Sequence, residues 1–224
     1  TNIKTWKSII KSENCLVYIS PERLMTERMI EALSNLSINL IVIDEAHCVS
    51  RWGPSFRPDY EALFKLKDIF SKIPIAALTA TADKNTQDDI IKRLFGGHGK
   101  LFVYGFDRPN IHLRVSNKTD LKRQLLEIIK ENKNHSGIVY CLSRAKTEKI
   151  TDFLRDNNVR ALSYHAGMSA ENRAKNQKVF MEDTNGVVMV ATIAFGMGID
   201  KPDVRFVCHA DLPSNIESYY QEIG

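Results

Sequence analysis

The sequence predicts an α/β protein: two doubly wound, mostly parallel sheets flanked by helices. Three observations carry that expectation. Short apolar runs alternate with amphipathic helical stretches along the whole chain, the pattern of repeated β-α-β units. The run Leu40-Ile41-Val42-Ile43 is apolar at every position, as expected of a central strand covered on both faces. The length, 224 residues, accommodates one large domain or two of about 100 residues each.

Taken in order, residues 3–11 read as a short helix and Cys15–Ile19 as a strand. Ser20 caps a helix that has Pro21 in its first turn and runs to about Leu33. Strand 39–44, an irregular stretch 46–58, helix 59–71, strand 74–79, helix 84–94 and a strand near 101–104 follow. The turn-rich Gly105-Phe106-Asp107-Arg108-Pro109-Asn110 is the boundary, giving domains 1–107 and 108–224. Alternation then resumes with strand 111–116 and helix 118–131, whose Leu121, Leu125, Ile128 and Ile129 share one face. Strand 137–141, helix 144–157, strand 160–164, helix 170–182 and strands 186–191 and 204–208 complete the chain.

Composition narrows the class. Hydrophobic residues make up 43% and charged residues 26%, as in ordinary globular proteins. A net charge of +4 neither requires nor excludes nucleic acid, so any basic surface must be local. Cys15, Cys48, Cys141 and Cys208 lack paired spacing and read as reduced core residues of an intracellular protein. No apolar stretch approaches 18 residues, so no membrane span is expected. The N-terminus lacks both a signal-peptide pattern and an initiator Met, and the chain is expected to be an excerpt.

The chemistry is expected where Asp44 and Glu45 end the apolar run. Open α/β sheets gather ligands outside the carboxyl ends of their strands. Two adjacent acids there need compensation, because withdrawing a carboxylate from water costs several kcal/mol. Mg²⁺, typically held by one or two carboxylates plus substrate phosphates, answers that need and marks a nucleotide site. Simple capping of the following turn is the plain alternative. Phe95-Gly96-Gly97-His98-Gly99-Lys100 is not a phosphate loop: Leu94 and Leu101 occupy the required Gly and Ser/Thr positions, and the stretch follows a helix.

Between Cys48 and Tyr60, Trp52 and Phe56 stand beside Arg51 and Arg57. Such a set offers aromatic faces for bases and cations for a backbone, each stacked base contributing about 1–3 kcal/mol. A lid over the core is the alternative for Trp52. Thr79-Ala80-Thr81 closes another strand, with Thr81 equally suited to cap helix 84–94.

Asp44-Glu45-Ala46-His47, the loop 48–60, the stretch 77–82 and Val190 through Pro202 together resemble the RecQ-type DNA helicases of superfamily 2, over nearly the whole chain. The Asp-Glu-Ala-His box is common to many helicases. The Trp-Gly-x-x-Phe-Arg-Pro loop and the Ala-Phe-Gly-Met-Gly-Ile stretch are far more specific. The resemblance implies two RecA-like domains, the first incomplete at its start and the second truncated, with ATP between them and single-stranded DNA across their top. It implies that Asp44 holds Mg²⁺, that Glu45 activates the attacking water, and that His47 couples the nucleotide site to the DNA loop. Asp200 and Gln221 face the nucleotide side. Ser20 and Arg23, the residues Arg51, Trp52, Phe56 and Arg57, and Ser143, Arg144, His165, Gly167 and Thr192 contact DNA. Thr79, Ala80 and Thr81 link hydrolysis to movement. Where the family usually has His-Asp, this chain has Pro54-Ser55.

The implied function is an ATP-dependent 3′–5′ DNA helicase, acting on single-stranded, duplex and fork DNA in recombination and repair. The expected protein is a monomer, in bacterial cytoplasm or a eukaryotic nucleus. An RNA helicase of the same superfamily and a non-catalytic nucleic-acid-binding module are the alternatives. The sequence contains no Gly-Lys-Ser/Thr phosphate loop and no arginine finger, so these residues alone are expected to be inactive.

Overall fold

The computed structural model describes all residues except 1–5, 7, 8, 10, 11, 13, 51–55, 106, 107, 197 and 198, and the side chain of Glu217. The chain divides into two compact units, Thr1–Phe106 and Asp107–Gly224. Helix 3–11 falls largely outside the described residues, and so do residues 51–55 of the loop 48–60.

In the first unit, α1 (Pro21–Leu24), α2 (Glu27–Ser34), β1 (Ile41–Ile43), a 3₁₀ turn (Ala46–Val49), α3 (Pro58–Glu61), α4 (Leu66–Ile69), β2 (Ile75–Ala77) and α5 (Lys84–Phe95) follow one another. β1 and β2 pair in parallel, Val42 opposite Ala76. Leu33, Ile43, Val49, Leu63, Leu66, Phe70, Ile90 and Leu94 form the core beneath them. Four expectations fail here and at the start of the second unit. The helix from Pro21 breaks at Thr26, which turns extended (ψ 140) while its hydroxyl donates to the Arg23 carbonyl at 2.9 Å. Thr offers such local bonds as a substitute for the helical ladder. Helix 59–71 is interrupted by a 3₁₀ turn over Ala62–Lys65. The strands expected at 15–19, 101–104 and 111–116 do not form. Leu16, Tyr18, Phe102, Val103, Tyr104 and Val115 are exposed, because a strand needs a paired neighbour as well as apolar residues. Nor is β1 covered on both faces: Val42 is 47% exposed.

In the second unit, α6 (Leu121–Glu131), β3 (Ser136–Tyr140), α7 (Arg144–Asp156), β4 (Ala161–Tyr164), α8 (Ala170–Glu182), β5 (Val188–Ala191), β6 (Val204–His209) and α9 (Ile216–Ile223) build a fully parallel sheet of order β4-β5-β3-β6. β3 and β5 are buried at every position. Successive residues of β3 feed opposite layers: Val139 joins Leu125, Ile150 and Leu154, while Ile138 and Tyr140 join Phe180 and Phe195. Gly137 lies beneath the Phe206 ring, where a Cβ would come within 2.1 Å of it. Because all four strands are parallel, the segments after Tyr140, Tyr164, Ala191 and His209 emerge at one end of the sheet.

Candidate nucleotide and nucleic-acid sites

In the first unit β1 delivers Asp44 and Glu45 to its carboxyl end. Asp44 is exposed and accepts the Glu45 N–H through Oδ1 at 2.9 Å. Glu45 adopts a left-handed backbone (φ 51, ψ 43), unusual for a residue with a side chain. Such a conformation costs of order 1–3 kcal/mol and persists where surrounding structure enforces it. Here the enforcement is visible on both sides: the Leu78 N–H donates to Ile43, and the Ala46 N–H donates to Leu78, each at 2.9 Å.

The 3₁₀ turn after Glu45 buries His47. Its Nδ1 lies 2.8 Å from the Thr79 hydroxyl oxygen and 3.3 Å from Oε2 of Glu45. The Thr79 hydroxyl donates to the Thr81 carbonyl at 3.1 Å and accepts the Thr81 N–H at 3.3 Å, which leaves it to accept from His47 Nδ1–H. His47 therefore bridges the acidic turn and the 79–81 segment. Burial lowers its pKa, opposed by Glu45, assisted by the Arg57 charge and opposed again by Asp44. Thr81 is buried, Ala80 exposed, and the cap of α5 is Asp83, which accepts the Thr86 N–H at 2.8 Å. The capping alternative for Thr81 is thereby taken by another residue.

The donor set at Asp44 fits Mg²⁺, which completes its shell with water and substrate phosphate oxygens. Among the described residues no three His, Cys, Asp or Glu side chains converge as a protein-only metal cage. Arg57 is exposed, its N–H donating to the Cys48 carbonyl at 3.0 Å, and Phe56 is half-buried beside it. Arg51 and Trp52 lie outside the described residues. Ser20 and Arg23 are exposed, but the helix between them has only four residues. The Ser20 hydroxyl holds the Glu22 carboxyl below the usual range.

In the second unit, Ser143 caps α7, its oxygen accepting the Lys146 N–H at 3.2 Å. Arg144 is exposed and covers Gly167, where a Cβ would stand 3.0 Å from Arg144 Cδ and 3.2 Å from His165 Nδ1. His165 is only 4% exposed and lies behind Arg144 and Gly167. Its Nε2 is 3.2 Å from Oε1 of Glu148, close enough for charge contact but without hydrogen-bond alignment. Thr192 is half-buried, its N–H donating to the Tyr164 carbonyl at 3.1 Å. Asp200 and Gln221 are exposed.

Two groups in this unit escaped sequence reading. Asp211, just past β6, accepts from Lys146, from Lys118 at 3.3 Å and from the Leu142 N–H at 3.2 Å. Burial raises its pKa, but these donors outweigh burial and leave it lowered. Tyr140, His209 and Glu222 form the second group, 82 positions apart in sequence at their extremes. The free thiols Cys141 and Cys208 are pushed by burial up to about 11, which keeps them inert as core residues.

Comparison with known proteins agrees in both units. Residues 2–90 match the DEAD/DEAH box helicase family, and residues 120–224 match the helicase conserved C-terminal domain. The chain is 47% identical over 209 residues to the ATP-dependent DNA helicase RecQ of Pasteurella multocida, covering 93% of this chain and 33% of that protein. It is 48% identical over 216 residues to the protein of the same name in Haemophilus influenzae, covering 96% and 35%. The chain thus spans about a third of the length of these relatives. Among solved structures, the helicase Lhr of Mycobacterium smegmatis bound to ssDNA and AMP-PNP matches with a TM-score of 0.68 at 21% identity, over 100% of this chain and 31% of that one. That likeness establishes the RecA-like α/β fold. With 47–48% identity carried across nearly its full length, and a helicase family match in each half, the chain belongs to the RecQ family of helicases.

Proposed function

We propose that the chain is the motor portion of an ATP-dependent 3′–5′ DNA helicase that tracks along single-stranded DNA and opens duplexes and forks. The observation that carries this reading is the Asp44–Glu45 pair on a strained turn at a strand's carboxyl end, bonded through His47 to Thr79. Asp44 is assigned to hold Mg²⁺ on a bound ATP. Such an ion would supply positive charge against that of the phosphates. Glu45 orients the attacking water and takes its proton, held in aim by the left-handed backbone and by His47. A change at Glu45 reaches Thr79 and Thr81 through one histidine ring, which supports the 79–81 segment as the link from hydrolysis to movement. In the second unit, Asp200 and Gln221 are assigned to the nucleotide side. Ser143, Arg144, Gly167 and Thr192 are assigned to the DNA strand, with His165 behind them. The protein is proposed to act as a monomer, in a bacterial cytoplasm or a eukaryotic nucleus.

The test uses the full-length protein. Glu45→Gln is expected to bind ATP normally and to lose at least about 10²-fold in turnover, the usual scale for a general base. Near-normal turnover removes Glu45 from this role. The 224 residues by themselves, lacking a phosphate loop, are expected to show no ATPase above background; measurable turnover by them overturns that expectation. Stimulation of the full-length ATPase by RNA in preference to DNA would assign the motor to RNA instead.

A further inference from the structure

We infer that Tyr140, His209 and Glu222 are positioning residues that tie the 192–196 turn to helix α9 in the second unit. The inference rests on the proposed function for what the two ends do; the physical link itself does not. Tyr140 ends β3, and its buried hydroxyl donates to the Phe195 carbonyl at 3.0 Å. The next residue, Gly196, has φ +128, and a Cβ there would lie 2.6 Å from the Tyr140 hydroxyl oxygen. The turn is therefore moulded against this one phenol. On its other side Tyr140 stands opposite His209 in the β3–β6 register, and the two rings stack at 5.6 Å with planes 22° apart.

His209 carries the link onward. Its Nε2 lies 2.7 Å from Oε2 of Glu222, with the two side chains only 13% and 9% exposed. Its ring also meets Tyr219, one turn earlier on α9, at 5.2 Å. A carboxyl group so deeply buried must keep a partner, so α9 moves with His209. Burial, reinforced by Glu222, holds the Tyr140 pKa well above the usual phenol range, and the hydroxyl stays a donor to Phe195. Phe195 itself packs on Tyr164 at 4.9 Å and on Phe180 at 5.4 Å, which fixes the turn against the sheet.

The consequence is directional. Thr192 begins the turn and is assigned to DNA; Gln221 neighbours Glu222 and is assigned to the nucleotide. A shift at either end is transmitted through three side chains, from Tyr140 on β3 through His209 on β6 to Glu222 on α9. Structural tethering alone would affect stability, whereas a positioning role also affects communication between the two ligands.

Two measurements test this. In the full-length protein, hydrogen exchange is followed for Tyr140→Phe, which keeps the ring, and for Glu222→Gln. The expected result is at least threefold faster exchange at residues 218–223 in Tyr140→Phe, and at Phe195 and Gly196 in Glu222→Gln. Should Glu222→Gln not fold, Tyr140→Phe alone decides. If the far segment is unchanged, the link is overturned. In the full-length protein, each variant is expected to lose about tenfold in DNA stimulation of the ATPase, with unstimulated turnover within twofold of wild type. The double variant is expected to be no worse than either single one. Parallel loss of stimulated and unstimulated turnover overturns positioning in favour of a purely structural tether. A wild-type protein with no DNA-stimulated ATPase would instead refute the proposed function, and the exchange result would still decide the link.

Discussion

Glu45 and His47 show how single residues hold conformations that only their surroundings explain. The left-handed backbone at Glu45 is paid for by the flanking bonds to Leu78. Glycine reaches the same φ without steric cost. Glu45→Gly is therefore expected to raise folding stability by a few tenths to about 1 kcal/mol, after the added freedom of the unfolded chain is counted. A urea titration checks this, and a loss of stability would show that the carboxylate contacts outweigh the strain. For His47, the folded pKa is lowered, so the unfolded chain binds a proton first as pH falls. Its contribution to stability is complete above the unfolded value of about 6.5 and declines as pH drops below it. His47→Asn is expected to show a shallower fall in urea midpoint between roughly pH 6.5 and 5 than wild type. Equal slopes would mean that His47 titrates alike in both states.

At the scale of elements, α5 carries its own stop and start signals. Asp83 caps the first turn, and Gly96 (φ +62) closes the last, the Gly97 N–H returning to Ile91 at 3.1 Å. Asp83→Ala is expected to cost about 1 kcal/mol. The Thr86 bonds lower the Asp83 pKa, so that contribution holds above the unfolded value and is lost as pH falls through the folded one. Thermal melts at neutral and acidic pH check both statements; a cost that persists at low pH refutes the capping account. Helices such as α5 and α6 were legible because periodicity and caps are local. Strands were legible only where neighbours exist. Val188–Ala191 and Phe102–Tyr104 look alike as short apolar runs, yet only the first has partners on both sides. The acidic pair was legible because an apolar run ending in carboxylates is a linear pattern. The burial of His165 and the meeting of Tyr140 with Glu222 were not, since both depend on which strands become neighbours.

Across the whole molecule the two units differ in how completely their sheets are clothed. β3 and β5 are buried at every position and helices cover both faces, whereas β1 and β2 form a two-stranded sheet with Val42 and Leu78 exposed. Two-stranded sheets are marginal alone. The amides of β3 and β5 are therefore expected to remain protected from exchange at urea concentrations that release those of β1 and β2. Simultaneous release would show that the units unfold as one. The single direction of the second sheet has a practical corollary. If every ligand-facing loop departs from one rim, then the other rim, where Lys133, Asn157 and Thr184 are exposed, is spare ground. Fluorophores or surface tethers attached there would report on the proposed motor while leaving the opposite rim untouched.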